Sequence, residues 1–243
     1  MPTGAGAGLA LLALVSAESR QITVVDADPA WERLVLAPHR LVRVSPCDAG
    51  RIDGADDGAL LVNLAAPHAL DVLATWPARR RGLAWACVTT PDSEYLVRLG
   101  GVAVVTALRP ADPVAACVRR RSRRRVRIVA TGPNPGALLA LRRVLTADGI
   151  GVSLAWDAVQ ARDLCELVHP HAVVVDLGVP RGGHELVVWL GLRRAVPDLV
   201  LVPGGNDTAR FAAAFAGARR HARLPLRREV TAALVAGATL RVA

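Results

Sequence analysis

The chain has 243 residues, a formal net charge of +9 at pH 7, 52% hydrophobic residues and 21% charged residues. The apolar share excludes a disordered chain, and the length suits two globular domains of about 100–130 residues. All 30 lysine-plus-arginine residues are arginines, which excludes lysine Schiff-base chemistry and a lysine-dependent phosphate-binding loop. The four cysteines lie far apart with no CxxC pair. We therefore expect reduced thiols, no metal or other cofactor, and a cytoplasmic protein.

The chain begins with an apolar stretch at residues 8–17. About ten apolar residues are too few to cross a bilayer, and no positive charge precedes them as it would in a secretory signal. We therefore predict no membrane span, and we interpret residues 1–20 as an apolar extension that packs on the first domain. A secretory signal is the alternative.

Residues 21–118, the first unit, alternate apolar runs with helix-like segments. The runs predicted as strands cover 22–29, 40–46, 59–67, 83–90 and 102–110. The helix-like segments cover 30–37, 68–76, 92–100 and 111–120. A glycine-rich and aspartate-rich segment at 48–58 predicts a loop where a second helix would be. Strands that alternate with helices favour a parallel sheet covered on both faces.

Residues 126–243, the second unit, repeat this order. Predicted strands cover 126–133, 151–156, 172–180, 199–205 and 222–226. Predicted helices cover 134–149, 157–168, 184–195, 207–219 and 227–237. Corresponding residues of the two units keep a nearly constant offset: 113 positions from Asn63 to Asp176 and 115 from Pro110 to Pro225. The offset indicates an internal duplication.

An arginine-rich run at 119–127 joins the two units and contains seven of the arginines. They are Arg119, Arg120, Arg121, Arg123, Arg124, Arg125 and Arg127. One interpretation is a solvated linker whose cations suit the end of a helix. The other is contact with nucleic acid, an anionic lipid surface or an acidic partner, which would be largely independent of base sequence.

One strand of each unit ends in a polar residue followed by a short turn and a proline. In the second unit it is "VVVDLGVP", in which the strand ends at Asp176, and in the first unit "LLVNLAAP", in which it ends at Asn63. With the other strand ends, these motifs resemble the response-regulator receiver family over about 215 of the 243 residues. The resemblance implies two tandem flavodoxin-like (βα)5 domains, each with a parallel five-stranded sheet.

The resemblance also implies a chemistry at the carboxyl ends of the strands. In receivers, two acids after the first strand hold Mg²⁺, and an aspartate after the third strand accepts a phosphoryl group from a histidine kinase. A Thr or Ser and a Lys at later strand ends contact the phosphoryl oxygens and convert the modification into a conformational change.

The second unit retains one residue of that set. Asp176 occupies the acceptor position, but Ala130 and Thr131 stand where the acidic pair would be. Pro203 lies near the Thr/Ser position and Leu224 at the lysine position. Because a carboxylate without a nearby cation is a poor phosphoryl acceptor, we interpret Asp176 as a vestigial phosphoacceptor position.

The first unit retains a different subset. Asp26 follows the first strand, with Ala27 in the second acidic position, and Asn63 replaces the acceptor. Thr89 keeps the hydroxyl, and Arg109 stands where the lysine would be. Asp26, Thr89 and Arg109 are then either ordinary polar strand ends or a remnant switch or anion site.

Because each unit lacks most of the receiver's phosphorylation residues, the sequence predicts a pair of degenerate pseudo-receivers. We expect a non-catalytic signalling or regulatory adaptor of the two-component type, independent of phosphorylation. It would bind protein partners through its helix 4–strand 5–helix 5 faces, about 92–118 and 207–237, and it could form a homodimer. One alternative is a nucleic-acid-associated regulator that uses the arginine run, and another is an atypical response regulator phosphorylated at Asp176.

Overall fold

A computed structural model describes residues 21–37, 39–51, 59–76, 84–91, 93–120, 126–219 and 226–242. The strands in these ranges are β1 Gln21–Val25, β2 Arg40–Val44, β3 Ala59–Asn63, β4 Ala84–Val88, β5 Tyr95–Val104, β6 Arg127–Thr131, β7 Gly151–Ala155, β8 Ala172–Asp176, β9 Asp198–Val202 and β10 Leu226–Arg227. The α-helices are α1 Ala69–Thr75, α2 Ala111–Arg120, α3 Pro135–Ala147, α4 Ala158–Val168, α5 Gly183–Gly191, α6 Asp207–Arg219 and α7 Arg228–Val242. Two 3₁₀ helices cover Pro29–Arg33 and Pro46–Arg51.

All ten strands belong to one mixed sheet rather than to two separate five-stranded sheets. Its order is β2-β1-β3-β4-β5-β9-β8-β6-β7, and β10 pairs with β5. Strand β5 is antiparallel to β4 but parallel to β9. The α/β class is therefore confirmed. Instead of the two expected parallel sheets, the described residues form one sheet, and the strands of its two halves run in opposite directions.

Strand β5 is also where the predicted helix at 92–100 is wrong. Its buried side chains face both sides of the sheet, and a run that is apolar on both faces suits a central strand as well as a helix. The packing at Gly100 also favours the strand. The backbone of Pro197 approaches Gly100 so closely that a Cβ at this position would collide with the Pro197 carbonyl oxygen. A glycine pair at 100–101 also disfavours a helix.

The last elements of the first unit pack against the second unit. The carboxyl end of β5 pairs with β9 through Val102–Val104, and α2 lies against α3. Buried side chains of α2, such as Val114 and Val118, share one core cluster with Leu138 and Leu141 of α3. The expected partner face at 92–118 is therefore largely buried within the chain itself.

The last elements of the second unit make the reciprocal contact. Strand β10 pairs with the start of β5, and α7 shares a core cluster with β1, β3 and the first 3₁₀ helix. Each unit thus packs its last helix, α2 or α7, against the other unit.

Most of the other predicted helices are confirmed, including α4 at 158–168 and α6 at 207–219. The helix predicted at 30–37 is only a 3₁₀ turn, and the region predicted as a loop at 48–58 begins with another such turn. Residues 1–20 and 121–125 lie outside the described residues. Among the described residues, no helix is long and apolar enough to cross a membrane.

Candidate functional site

Three of the predicted residues of the first unit meet at one edge of the sheet. Asp26 follows β1, Asn63 ends β3 and Thr89 follows β4. These strands are parallel neighbours, so their carboxyl ends lie side by side. All three residues are buried, and we call them, together with Asp28 and Arg228, the first cluster.

Asp26 accepts hydrogen bonds at both carboxylate oxygens. Its Oδ1 accepts from the Asp28 backbone N–H at 3.2 Å, and its Oδ2 accepts from Trp31 Nε1 at 2.8 Å and from Asn63 Nδ2 at 3.1 Å. Burial raises the pKa of Asp26, while the hydrogen bonds from Trp31, Asp28 and Asn63 lower it. The nearby charge of Asp28 adds to the rise in this pKa.

Asn63, which the resemblance places at a phosphoacceptor position, uses both ends of its amide group in hydrogen bonds within the protein. Its Oδ1 accepts from the backbone N–H groups of Ala65 at 3.1 Å and Thr89 at 3.2 Å. Its Nδ2 donates to Asp26 and also to the Thr89 carbonyl at 3.2 Å. An amide offers two donors and one acceptor oxygen, so this side chain ties three strand ends together.

Asp28 and Arg228 are functional candidates that the sequence did not reveal. Asp28 caps the first 3₁₀ helix by accepting from the Ala30 N–H at 2.9 Å. Its other oxygen accepts from Arg228 Nη2 at 2.5 Å, and the two side chains are only 7% and 11% exposed. The same arginine lies 5.8 Å from the ring centroid of Trp31 and donates to the Thr90 carbonyl at 3.4 Å.

The Mg²⁺ ion that the receiver resemblance implies does not fit this cluster. Both oxygens of Asp26 and both oxygens of Asp28 already accept hydrogen bonds from protein groups. One of those donors is the Arg228 guanidinium. This cation already offsets the negative charge of Asp28, which a divalent ion would otherwise do. Within the described ranges, no group of three or more His, Cys, Asp or Glu side chains is arranged to hold a metal.

The second cluster surrounds Asp176 at the end of β8. Because the two halves of the sheet run in opposite directions, it lies at the opposite edge from the first cluster. Asp176 is half-buried, and its Oδ1 accepts from the Gly178 N–H at 2.9 Å. Burial raises the pKa of Asp176, and the Gly178 hydrogen bond opposes the rise. Thr131, at the acidic-pair position, is fully buried, and its hydroxyl has no hydrogen-bond partner among the described residues.

The structure places Arg109 with the second cluster, not with Asp26 and Thr89. Its Nη2 donates to the Gly136 carbonyl at 2.6 Å, at the start of α3. A Cβ at Gly132 would lie 3.0 Å from Leu108 Cδ1 and 3.1 Å from Asp176 Cβ, so the residue before Arg109 lies close to Asp176. The separation from Asp26 follows from the path of β5, which leaves β4 and continues alongside β9.

A buried histidine–aspartate pair, His184 and Asp207, lies near the second cluster. His184 Nε2 contacts Asp207 Oδ1 at 2.8 Å, and the Gly204 N–H donates to the same carboxylate. His184 also packs edge-on against Phe211 at 4.8 Å between ring centroids. These contacts join α5, which contains His184, to the first residue of α6 and to the turn between β9 and α6. Pro203 lies exposed in the same turn, and Leu224 lies outside the described residues.

The arginine run is described only at its ends. Arg119 and Arg120 close α2, and Arg127 opens β6. Arg127 is exposed, and its guanidinium donates to the His169 carbonyl at 3.5 Å. The rest of the run, Arg121, Arg123, Arg124 and Arg125, lies outside the described residues, so its role in nucleic-acid binding stays a prediction.

No protein-family model and no curated protein sequence matches the chain. Among solved structures, full-length ShkA in complex with AMPPNP aligns with 85% of this chain and 52% of its own, at 16% identity and a TM-score of 0.28. The chain therefore spans about half the length of ShkA. At that identity and score, the likeness assigns neither a family nor a function.

Proposed function

We propose that this protein is a non-catalytic regulatory adaptor, built on two degenerate receiver-like units, that works through protein–protein interaction and without phosphorylation. The observation that carries the proposal is the hydrogen bonding of Asn63. The Asn63 amide makes hydrogen bonds with Asp26, Ala65 and Thr89. At the expected acceptor position it therefore has a structural role and no nucleophile.

The carboxylates near that position support the same proposal. Phosphoryl transfer to an aspartate needs cations that offset the charge of the incoming group and of the carboxylate. In the first cluster, the Arg228 guanidinium is already engaged by Asp28. In the second cluster, Arg109 is engaged by the Gly136 carbonyl, and the acidic-pair positions are Ala130 and Thr131.

A protein of this kind acts by presenting surfaces. The outer side of α6 is exposed at Arg210, Ala213 and Ala216, and it belongs to the partner face expected at 207–237. Small side chains beside a cation leave room for a partner backbone to approach closely. A homodimer through this face is part of the same proposal.

Quantitative affinity capture from the source organism tests the proposal. The full chain and its Asp176→Ala variant are compared, each with and without acetyl phosphate. The adaptor proposal expects the same stoichiometric protein partner in all four samples. A partner that requires acetyl phosphate, or that is lost with Asp176→Ala, would contradict it and favour an atypical response regulator.

A further inference from the structure

The C-terminal helix α7 covers a sheet face that belongs to the other unit. Its buried positions on this face follow the spacing i, i+4, i+7, i+8, which places them along one side of a helix. They are Ala232, Val235 and Ala236, preceded by Arg228, whose side chain is 11% exposed; Thr231, next to Ala232, is also buried. Opposite them lie buried side chains of the first unit: Ile22, Val24, Trp31, Leu61 and Cys87.

Over the side chains that the structure describes, 227–237, the apolar attachment of α7 is light for a helix that covers a core. Strand β10 pairs with β5 through Leu226 and Arg227, and the α7 side chains that the structure describes in the core cluster are those of Ala232, Val235 and Ala236. Small side chains remove little apolar area from water, and so they contribute little of the hydrophobic free energy. The ion pair between Arg228 and Asp28 adds a specific polar contact to this apolar packing.

The same interface contains polar atoms that are buried without a hydrogen bond. Within the described residues, Thr231 Oγ1, Arg228 Nε and Trp85 Nε1 have no partner. Buried polar groups in native proteins are normally paired, and an unpaired one opposes burial. This interface is thus less well satisfied than an ordinary core contact, which favours exchange of the helix for another.

We propose that α7 is a displaceable cap, and that the face beneath it is the docking site for an amphipathic helix of a partner protein. The occupant carries an arginine followed by small apolar residues four, seven and eight positions later, as α7 does. The inference rests on the adaptor function proposed above and names the chemistry of its partner.

Charge complementarity selects this partner. Asp28 is 7% exposed in its side chain, so an acidic or wholly apolar helix would bury its carboxylate without a cation. Nucleic acid and phosphorylated segments are disfavoured for the same reason, because their phosphate groups would face the Asp28 carboxylate. An amphipathic helix that lays its apolar face in a hydrophobic groove is a known mode of peptide recognition.

A fluorescein-labelled synthetic peptide of residues 226–242 tests the proposal by fluorescence anisotropy with the full chain. In the wild-type chain α7 competes with the peptide. In the Arg228→Ala chain the competitor is weakened, and we expect the peptide to bind about tenfold tighter or more. The Arg227→Ala chain is the matched control, because Arg227 is exposed, and it binds the peptide as the wild-type chain does. A peptide that itself carries Arg228→Ala should not bind the Arg228→Ala chain more tightly than it binds the wild-type chain.

Hydrogen exchange on the wild-type chain provides a measurement that needs no variant. A displaceable α7 exchanges its amide hydrogens faster than the buried helix α3, through local opening. Three results would each overturn the proposal. The first is equal exchange rates for α7 and α3, and the second is equal peptide affinity for the wild-type and Arg228→Ala chains. The third is a dimer formed by exchange of α7 between two copies. These readouts are independent of Asp176, so a phosphorylated Asp176 would defeat the proposed function and leave this test intact.

Discussion

The Arg228 guanidinium, in the second unit, donates to the Asp28 carboxylate of the first unit, 200 positions earlier in the chain. Both side chains are nearly buried. Removal of one partner leaves the other charge buried without compensation, and we expect Arg228→Ala to lower the free energy of unfolding by roughly 3–5 kcal/mol. Urea denaturation measures the loss.

The neighbouring Arg227 is the control for this change, because it is exposed and its substitution should cost within about 0.5 kcal/mol. The double variant Asp28→Ala with Arg228→Ala should lose less than the sum of the two single variants, since the two residues interact directly. Arg228→Ala that is as mild as Arg227→Ala would show that the pair does not form.

Asn63→Asp restores the acceptor carboxylate of a receiver, and we expect it to destabilise this protein. The new carboxylate would face Asp26 Oδ2, which lies 3.1 Å from Asn63 Nδ2, and the donor to the Thr89 carbonyl would be lost. The cost at pH 7 is roughly 2–4 kcal/mol. It should shrink towards pH 4 because protonation of one carboxyl relieves the repulsion.

Asn134→Asp is the matched control for that substitution. Asn134 caps α3 through its Oδ1, a role that aspartate also fills, so the free energy of unfolding should change by no more than about 0.5 kcal/mol. An Asn63→Asp variant as stable as Asn134→Asp across the pH range would mean that the first cluster is open to solvent.

Asp176 should make the protein less stable as pH rises. Burial raises its pKa in the folded chain above the ordinary value of 3.8, so the folded chain binds more protons than the unfolded chain between those two pKa values. The free energy of unfolding therefore decreases as pH increases through this window. Asp176→Asn can still accept from the Gly178 N–H, and it should lack this decrease.

Two measurements test this effect. One is the denaturation of the wild-type and Asp176→Asn chains between pH 3 and pH 7, and the other is a carboxyl-carbon NMR titration of Asp176. Parallel stability curves for the two chains, together with a titration at the ordinary pKa, would refute it.

Gly191 tests the contact between α5 of the second unit and β5 of the first unit. A Cβ at Gly191 would lie 2.5 Å from Val97 Cγ1 and 2.6 Å from Leu99 Cδ2. Gly191→Ala should therefore lower the free energy of unfolding by about 1–3 kcal/mol. A Cβ at Gly217, in α6, would meet no atom within 4 Å, and Gly217→Ala should instead raise the free energy of unfolding by about 0.5–1 kcal/mol. Thermal or urea unfolding of both variants distinguishes the two outcomes, and two equal effects would contradict the observed position of β5.

The strand ends were predictable from the sequence because their signal is local. An apolar run followed by a polar residue places Asp26, Asn63, Thr89 and Asp176 at carboxyl ends of strands, and parallel neighbours bring the first three together. The pattern also predicted α4 and α6 closely, where caps and apolar spacing agree.

The exchange of elements between the units was not predictable in that way. The pairing of β5 with β9 and the contact of Arg228 with Asp28 join segments that are far apart in the chain, and no local pattern encodes them. The helix expected at 92–100 failed for a related reason: an apolar run buried on both faces has no single period, and only its neighbours make it a strand.

The central claim, that neither unit supports phosphoryl transfer, is tested most directly by the intact mass of the full chain after incubation with acetyl phosphate and Mg²⁺. The adaptor proposal predicts an unchanged mass for the wild-type chain and for Asp176→Ala alike. A wild-type chain heavier by one phosphoryl group, with the increase abolished in Asp176→Ala, would contradict it.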